Sequence, residues 1–338
     1  MNDINALINK YKLAFPDQIS IDATYKKIAS LNAGFQANGS VYFNAQNDAF
    51  AQGQEFTRVH INTYRDLDCR PSLPLLAEHL AGALGIDKNT ADYEALLLVA
   101  FRAEMGQSDP LPAYHNPHHF ADVAVMTATY LQNTRILTLH EKALTLIAAF
   151  GHDIDHGGFP NPSDNLVFNE EKSFIEMQLL LEATGMSQED QQKIHVILLT
   201  TSINGPLGVL KAVVRGDAVD TLIFKLPELQ VLFNSISLCE MAAIVTDADI
   251  YAASGAGFDS NQVMSKFLTQ EMKSHGNTLD FASDTSRLFF LTNIIGEEGY
   301  LSQAARDLSN PAFKDLLENT HLRLNPPKPK DDKESLSL

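Results

Sequence analysis

Two histidines and two aspartates crowd into five consecutive positions, His152-Asp153-Ile154-Asp155-His156, at the end of the apolar run Ala143–Phe150. On a helix, His152 and Asp153 point about 100° apart, and His156 lies about one turn beyond His152. A helix apolar enough to be buried does not ordinarily end in four ionisable groups, because burying them costs several kcal/mol unless something pairs with them. A divalent cation is the economical partner. Imidazole with carboxylate suits zinc, manganese, iron or magnesium rather than a soft thiolate site. Taken alone, the stretch also fits a solvated helix end rich in aspartate, and a second cluster weighs against that reading.

That second cluster is Tyr114-His115-Asn116-Pro117-His118-His119, followed by Asp122. Asn then Pro is a helix start, with Asn as the cap and Pro in the first helical position. His115 then lies just outside the helix and His119 in its first turn. Asp122 shares a face with His119 and could orient its ring. His118 reads as an exposed residue. Each cluster sits at the end of an apolar helix, Val123–Leu131 or Lys142–Phe150, so packing the two together would bring His119 beside His152 and Asp153.

From residue 75 onward the spacing predicts helix after helix: Leu75–Leu84, Ala91–Met105, Glu170–Ala183 containing Glu176, Gln188–Thr201, Pro227–Ala253, Asn261–Lys273, Thr285–Ile295, Leu301–Leu308 and Pro311–Leu322. There is no useful strand alternation there, so the fold class is all-α. The long apolar stretch Pro227–Ala253 ends in Thr246-Asp247-Ala248-Asp249. An aspartate late in a buried helix needs a partner. For Asp247 and Asp249 a core hydrogen bond is one reading, and a fourth metal ligand is the sharper reading for one of them.

Residues 1–70 read as an N-terminal extension: a short amphipathic helix over Ile4–Tyr11, then loops and a short strand between Asn32 and Gln54. Residues 326–338 read as a disordered tail. At net charge −17, a nucleic-acid surface is a poor expectation. Cys69 and Cys239 give neither a disulfide framework nor a cysteine metal site, and no apolar run is long enough for a membrane span. These features point to a cytoplasmic protein with a small-molecule partner, and they leave the oligomeric state open.

With both clusters and the late aspartate in hand, residues 75–322 resemble the catalytic domain of the class I 3′,5′-cyclic-nucleotide phosphodiesterases of the HD superfamily. The residues that carry the resemblance are Tyr114-His115-Asn116-x-x-His119-x-x-Asp122-Val123, His152-Asp153-x-Asp155-His156-x-Gly158-x-x-Asn161 and Ala248-Asp249-Ile250. The resemblance implies a compact multi-helix domain over residues 71–325. It implies two divalent metals: zinc held tightly by His119, His152, Asp153 and Asp249, and magnesium or manganese sharing Asp153. His156, Glu176 and Thr201 would order the second metal's waters. His115 would be the general acid in hydrolysis of cAMP or cGMP to the 5′-monophosphate by a metal-activated hydroxide.

Three positions depart from the family. Ala252 stands where purine-specific members usually carry an Asn, Ser202 stands where an Asp usually follows the Thr, and no Gln occurs within Thr285–Phe290. Arg287 or Ser286 takes the place of that purine-reading Gln, with Phe290 or Phe289 as the base-stacking ring. Tyr114, Arg287, Phe289 and Phe290 are thus the candidate substrate-binding residues. A guanidinium only donates hydrogen bonds, so it does not mimic an amide. Two alternatives stay open: an HD-type phosphohydrolase acting on another phosphoester, and a non-catalytic module that binds a nucleotide or a protein partner.

Overall fold

The computed structural model describes residues 2–15, 18–37, 57, 70–105, 112–218 and 225–326, and among them there is no strand. The helices are α1 Asn2–Tyr11, α2 Gln18–Ala37, α3 Leu73–Leu84, α4 Ala91–Met105, α5 Pro117–Asn133, α6 Leu139–Gly151, α7 Phe168–Ala183, α8 Gln188–Thr201, α9 Pro206–Arg215, α10 Ile236–Ser254, α11 Phe258–Ser274, α12 Asp284–Phe289 and α13 Gln303–Leu324. The all-α expectation holds. No single helix among the described residues is long and apolar enough to cross a membrane.

The starts of the two central helices follow from their sequences. Asn116 caps α5 by accepting from the His118 amide, with Pro117 at the first helical position. Thr138 and Glu141 form a reciprocal capping box at the start of α6. α5, α6 and α10 pack against one another at the centre. Phe120, Val123, Met126, Leu144, Ile147, Phe150, Ile244 and Val245 are fully buried there. Each of these three helices brings a candidate ligand to the site: His119 in the first turn of α5, His152 at the C-cap of α6, and Asp249 late in α10.

Five sequence expectations change. Asn32–Ala37, read as loop, is the end of helix α2, and all of the remaining loop-and-strand reading to Gln54 lies outside the described residues, as does nearly all of the tail. Helix α9 was not anticipated, although Pro206 opens it and the left-handed Gly216 closes it. The stretch Pro227–Ala253 is not one helix: a 3-10 helix, Pro227–Asn234, meets α10 at a bend of 115°. Ser235 makes the break, because its extended backbone and its side chain, which accepts from the Leu238 amide, start a new helix. Conversely, Leu301–Leu308 and Pro311–Leu322 merge into α13 with Pro311 inside. Proline ordinarily breaks a helix interior, but buried Ala304, Ala305, Phe313 and Leu316 hold both halves against the core. Finally, Thr285–Ile295 is helical but widens to a π-helix over Phe290–Ile295.

The N-terminal helices join the same core. Leu7, Ile8, Phe15, Ile21 and Ile28 belong to its cluster, and Phe15 and Tyr25 pack on Phe101 of α4. Beneath them, Glu104 of α4 accepts two bonds from Arg70, at 2.6 and 2.7 Å, and one from the Leu73 amide, and it pairs with Lys27 of α2. Burial favours the neutral acid, but Arg70 and Lys27 outweigh it and hold the Glu104 carboxyl at about 2. The stability this network contributes is therefore present above the ordinary carboxylate range and is lost as the pH falls toward 2. Glu104→Ala is expected to cost about 3–5 kcal/mol by leaving Arg70 buried without its partner, read as a lowered midpoint in urea unfolding at neutral pH.

Candidate metal centre

The three central helices converge on one point. A nitrogen of His119 and of His152 and a carboxylate oxygen of Asp153 and of Asp249 lie within 4.8 Å of one another. His119 Nε2 is 3.3 Å from His152 Nε2, 3.4 Å from Asp153 Oδ2 and 2.9 Å from Asp249 Oδ1. His152 Nε2 is 3.1 Å from Asp153 Oδ2 and 3.5 Å from Asp249 Oδ1. Zinc bonds of about 2.0–2.2 Å place neighbouring ligand atoms about 3–3.5 Å apart, which is the spacing found here.

The protonation pattern fits as well. His152 Nδ1 lies 2.9 Å from the Ala149 carbonyl. With that nitrogen donating, the lone pair of Nε2 faces the cluster. Burial disfavours charge on His152, yet Asp153 and Asp249 raise its pKa well above the ordinary histidine value. Burial likewise opposes ionisation of Asp153 and Asp249, and the facing histidines nonetheless hold both far below the usual carboxylate range. The protons shared in this cluster are those a cation displaces on binding. His119 Nδ1 is buried with no hydrogen-bond partner among the described residues, so Asp122 does not orient its ring as the sequence suggested.

His115 flanks the cluster, with its ring 5.8 Å from that of His119 and 4.1 Å from that of His156. Its Nδ1 is hydrogen-bonded to Glu271 Oε1 on α11, while Glu271 Oε2 accepts the Tyr114 and His115 amides at 2.7 and 3.0 Å. Burial would lower the His115 pKa, but Asp153 and Glu271 together raise it. Burial alone would raise the Glu271 carboxyl, and the His115 contact instead brings it down to about 2. Glu271 was missed in the sequence, where it is one polar residue among many on an amphipathic helix.

Gly158, by contrast, was visible in the motif and now has a reason. Its φ is +75°, and an added Cβ would fall 2.8 Å from the Glu271 carboxyl carbon. Gly158→Ala should therefore displace Glu271 and with it His115, lowering kcat by about 10²-fold while leaving metal content unchanged. Parallel turnover and metal analysis checks this.

The other expected residues are placed as follows. His156 Nδ1 accepts the Gly158 amide at 3.0 Å, and burial together with neighbouring His115 brings its pKa down to about 4, so the ring is neutral. Glu176 is ion-paired with Arg102 at 2.6 Å, and no described hydrogen bond ties it to the cluster. Thr201 is buried at the end of α8, with its hydroxyl donating to the Leu198 carbonyl. Beside it, Ser202 and Glu170 both bond to Asn161. Burial raises the Glu170 carboxyl to about 7, against the Asn161 hydrogen bond.

Among the substrate-binding candidates, Tyr114 packs at 4.8 and 4.9 Å on His115 and His119 and shares a small apolar cluster with Ala252 and Met264. Arg287 is 1% exposed. Its guanidinium bonds Asn261, Asp284 and the Ala282 carbonyl and lies over the Phe258 ring. Through these contacts it ties α11 to α12. Phe289 is 59% exposed, and Phe290 packs partly on the main core.

Comparison with known proteins agrees with this geometry. The sequence profile of the 3′5′-cyclic nucleotide phosphodiesterase family matches residues 114–167, which hold both histidine clusters. No curated protein sequence matches the chain. Among solved structures, the Leishmania phosphodiesterase PDEB1, in complex with IBMX, superposes with a TM-score of 0.57 at 16% identity, covering 87% of this chain and 97% of that one. This likeness establishes the fold, that of a phosphodiesterase catalytic domain. The profile match supports a likeness to cyclic-nucleotide phosphodiesterases over residues 114–167, and the His–Asp cluster there and on α10 is compatible with divalent metals.

Proposed function

We propose that the chain hydrolyses a 3′,5′-cyclic nucleotide, cAMP or cGMP, to the 5′-monophosphate, with zinc held by His119, His152, Asp153 and Asp249 and magnesium or manganese sharing Asp153. The observation that carries this reading is the convergence of those four ligand atoms beside a histidine whose Nδ1 is anchored by Glu271. When bound, such cations would supply Lewis-acid charge and lower the pKa of bound water toward neutrality. His115, with Nδ1 tied to Glu271, keeps Nε2 to hand a proton to the departing 3′ oxygen, which is a poor leaving group unprotonated. His156 accepts at Nδ1 from Gly158, so its Nε2–H is the donor available to order water.

The test is turnover of cAMP, cGMP, cyclic pyrimidine nucleotides and bis-p-nitrophenyl phosphate by the purified protein, with and without added Mg²⁺ or Mn²⁺. Fast metal-dependent hydrolysis of cAMP or cGMP is expected. Cleavage of the generic diester alone would move the substrate to another phosphoester. That second reading is favoured by two observations: Ala252 is buried in an apolar cluster, and the guanidinium of Arg287 is engaged elsewhere. Bound metal without turnover on any of these would make the chain a binding module.

A further inference from the structure

Among the described residues, Asp155 is the non-glycine residue with left-handed backbone, at φ 61°. It sits inside the turn that carries His152, Asp153 and His156. Aspartate tolerates this conformation better than most residues, but the conformation remains sparsely populated and persists where its surroundings hold it. Here α7 supplies the hold. Lys172 Nζ donates to the Asp155 carbonyl at 2.9 Å and pairs with its carboxylate at 2.9 Å. The next residue, Ser173, is buried, and its hydroxyl donates to the Ile154 carbonyl at 3.0 Å. Two successive carbonyls between the ligand Asp153 and the ring of His156 are thus fixed from one helix.

We propose that Lys172 is a positioning residue: by clasping Asp155 through both backbone and side chain, it holds the left-handed turn that aims Asp153 and His156 at the metal centre. The proposal rests on the reading of His119, His152, Asp153 and Asp249 as metal ligands. The lysine and aspartate side chains are 41% and 32% exposed. An ion pair so open to water adds little to global stability, so losing it should show in the metal site rather than in the fold. Groups that orient a ligand from behind typically change metal affinity by about 10–100-fold.

The experiment measures zinc affinity by competition with a chromophoric chelator for wild type, Lys172→Met and Lys172→Arg, together with the Tm of each apo-protein and the visible spectrum of each cobalt(II)-loaded form. Lys172→Met should bind zinc about tenfold more weakly, show an altered cobalt spectrum and keep the wild-type apo Tm. Lys172→Arg, which can remake both contacts, should restore affinity and spectrum. Wild-type affinity and spectrum in Lys172→Met would overturn the clasp, as would an arginine variant no better than the methionine one. Should Lys172→Met lower the apo Tm as well, Asp155→Asn decides: it keeps the carbonyl bond, removes the ion pair and should show a smaller loss of zinc affinity, and no loss there would overturn the proposal. Wild-type protein that binds no zinc would instead overturn the metal reading on which the clasp depends.

Discussion

Asp153→Ala is expected to lose bound zinc and turnover together. Asp153 Oδ2 stands 3.1 and 3.4 Å from the inward nitrogens of His152 and His119, and its carboxylate is one of only two negative charges in the cluster of four. Deleting it leaves two imidazoles and Asp249 to hold a dication, and it removes the oxygen proposed to be shared with the second metal. Neither His156 nor Glu170 can replace it: the former is a neutral ring bonded to Gly158, and the latter is bonded to Asn161. Zinc measured by mass spectrometry after exhaustive dialysis should fall to background, and kcat should drop to the limit of detection for every substrate in the panel. Retention of stoichiometric zinc by this variant would remove Asp153 from the ligand set.

His115→Ala should behave differently. His115 flanks the cluster without belonging to it, and its Nδ1 anchor, Glu271, sits on α11, which contributes no ligand. Zinc content is therefore expected to match wild type, while kcat falls by about 10²–10⁴-fold, the usual contribution of a positioned general acid. Glu271→Gln should give a smaller loss of the same kind, because an amide oxygen can still accept from Nδ1 but no longer supports charge on the ring. Measuring zinc and kcat on the same preparations separates the two roles. If zinc fell as far in His115→Ala as in Asp153→Ala, His115 would be a ligand or a support for one, not the acid.

What the sequence made legible is what short-range spacing encodes. Asn116-Pro117 set the start of α5 and thereby placed His115 outside the helix and His119 in its first turn, and His152-Asp153 ended α6 where the structure ends it. Asp249 was separable from Asp247 only by resemblance. The structure supplies the physical distinction: Asp247 is wholly buried and accepts the Leu301 and Ser302 amides, whereas Asp249 faces the histidines. The partners that matter at long range left no local trace. Glu271 meets His115 across 156 positions, and Arg287 meets Asn261 across 26. Helix breaks were misjudged where one side chain outweighed hydrophobicity, as at Ser235, or where packing outweighed proline, as at Pro311.

The network under α4 bears on where this protein can be cut. A fragment begun at residue 71 would retain His115 and all four candidate ligands, yet it would lack Arg70 and Lys27, leaving the enclosed Glu104 carboxylate, among the described residues, with the Leu73 amide alone to meet it. It would also strip Phe15 and Tyr25 from Phe101 and open an aromatic face to water. α4 packs directly on α6, the helix that ends in His152, so damage at the trimmed edge sits one helix away from the chemistry. Inactivity of such a fragment would therefore report a failed support rather than a wrong active site.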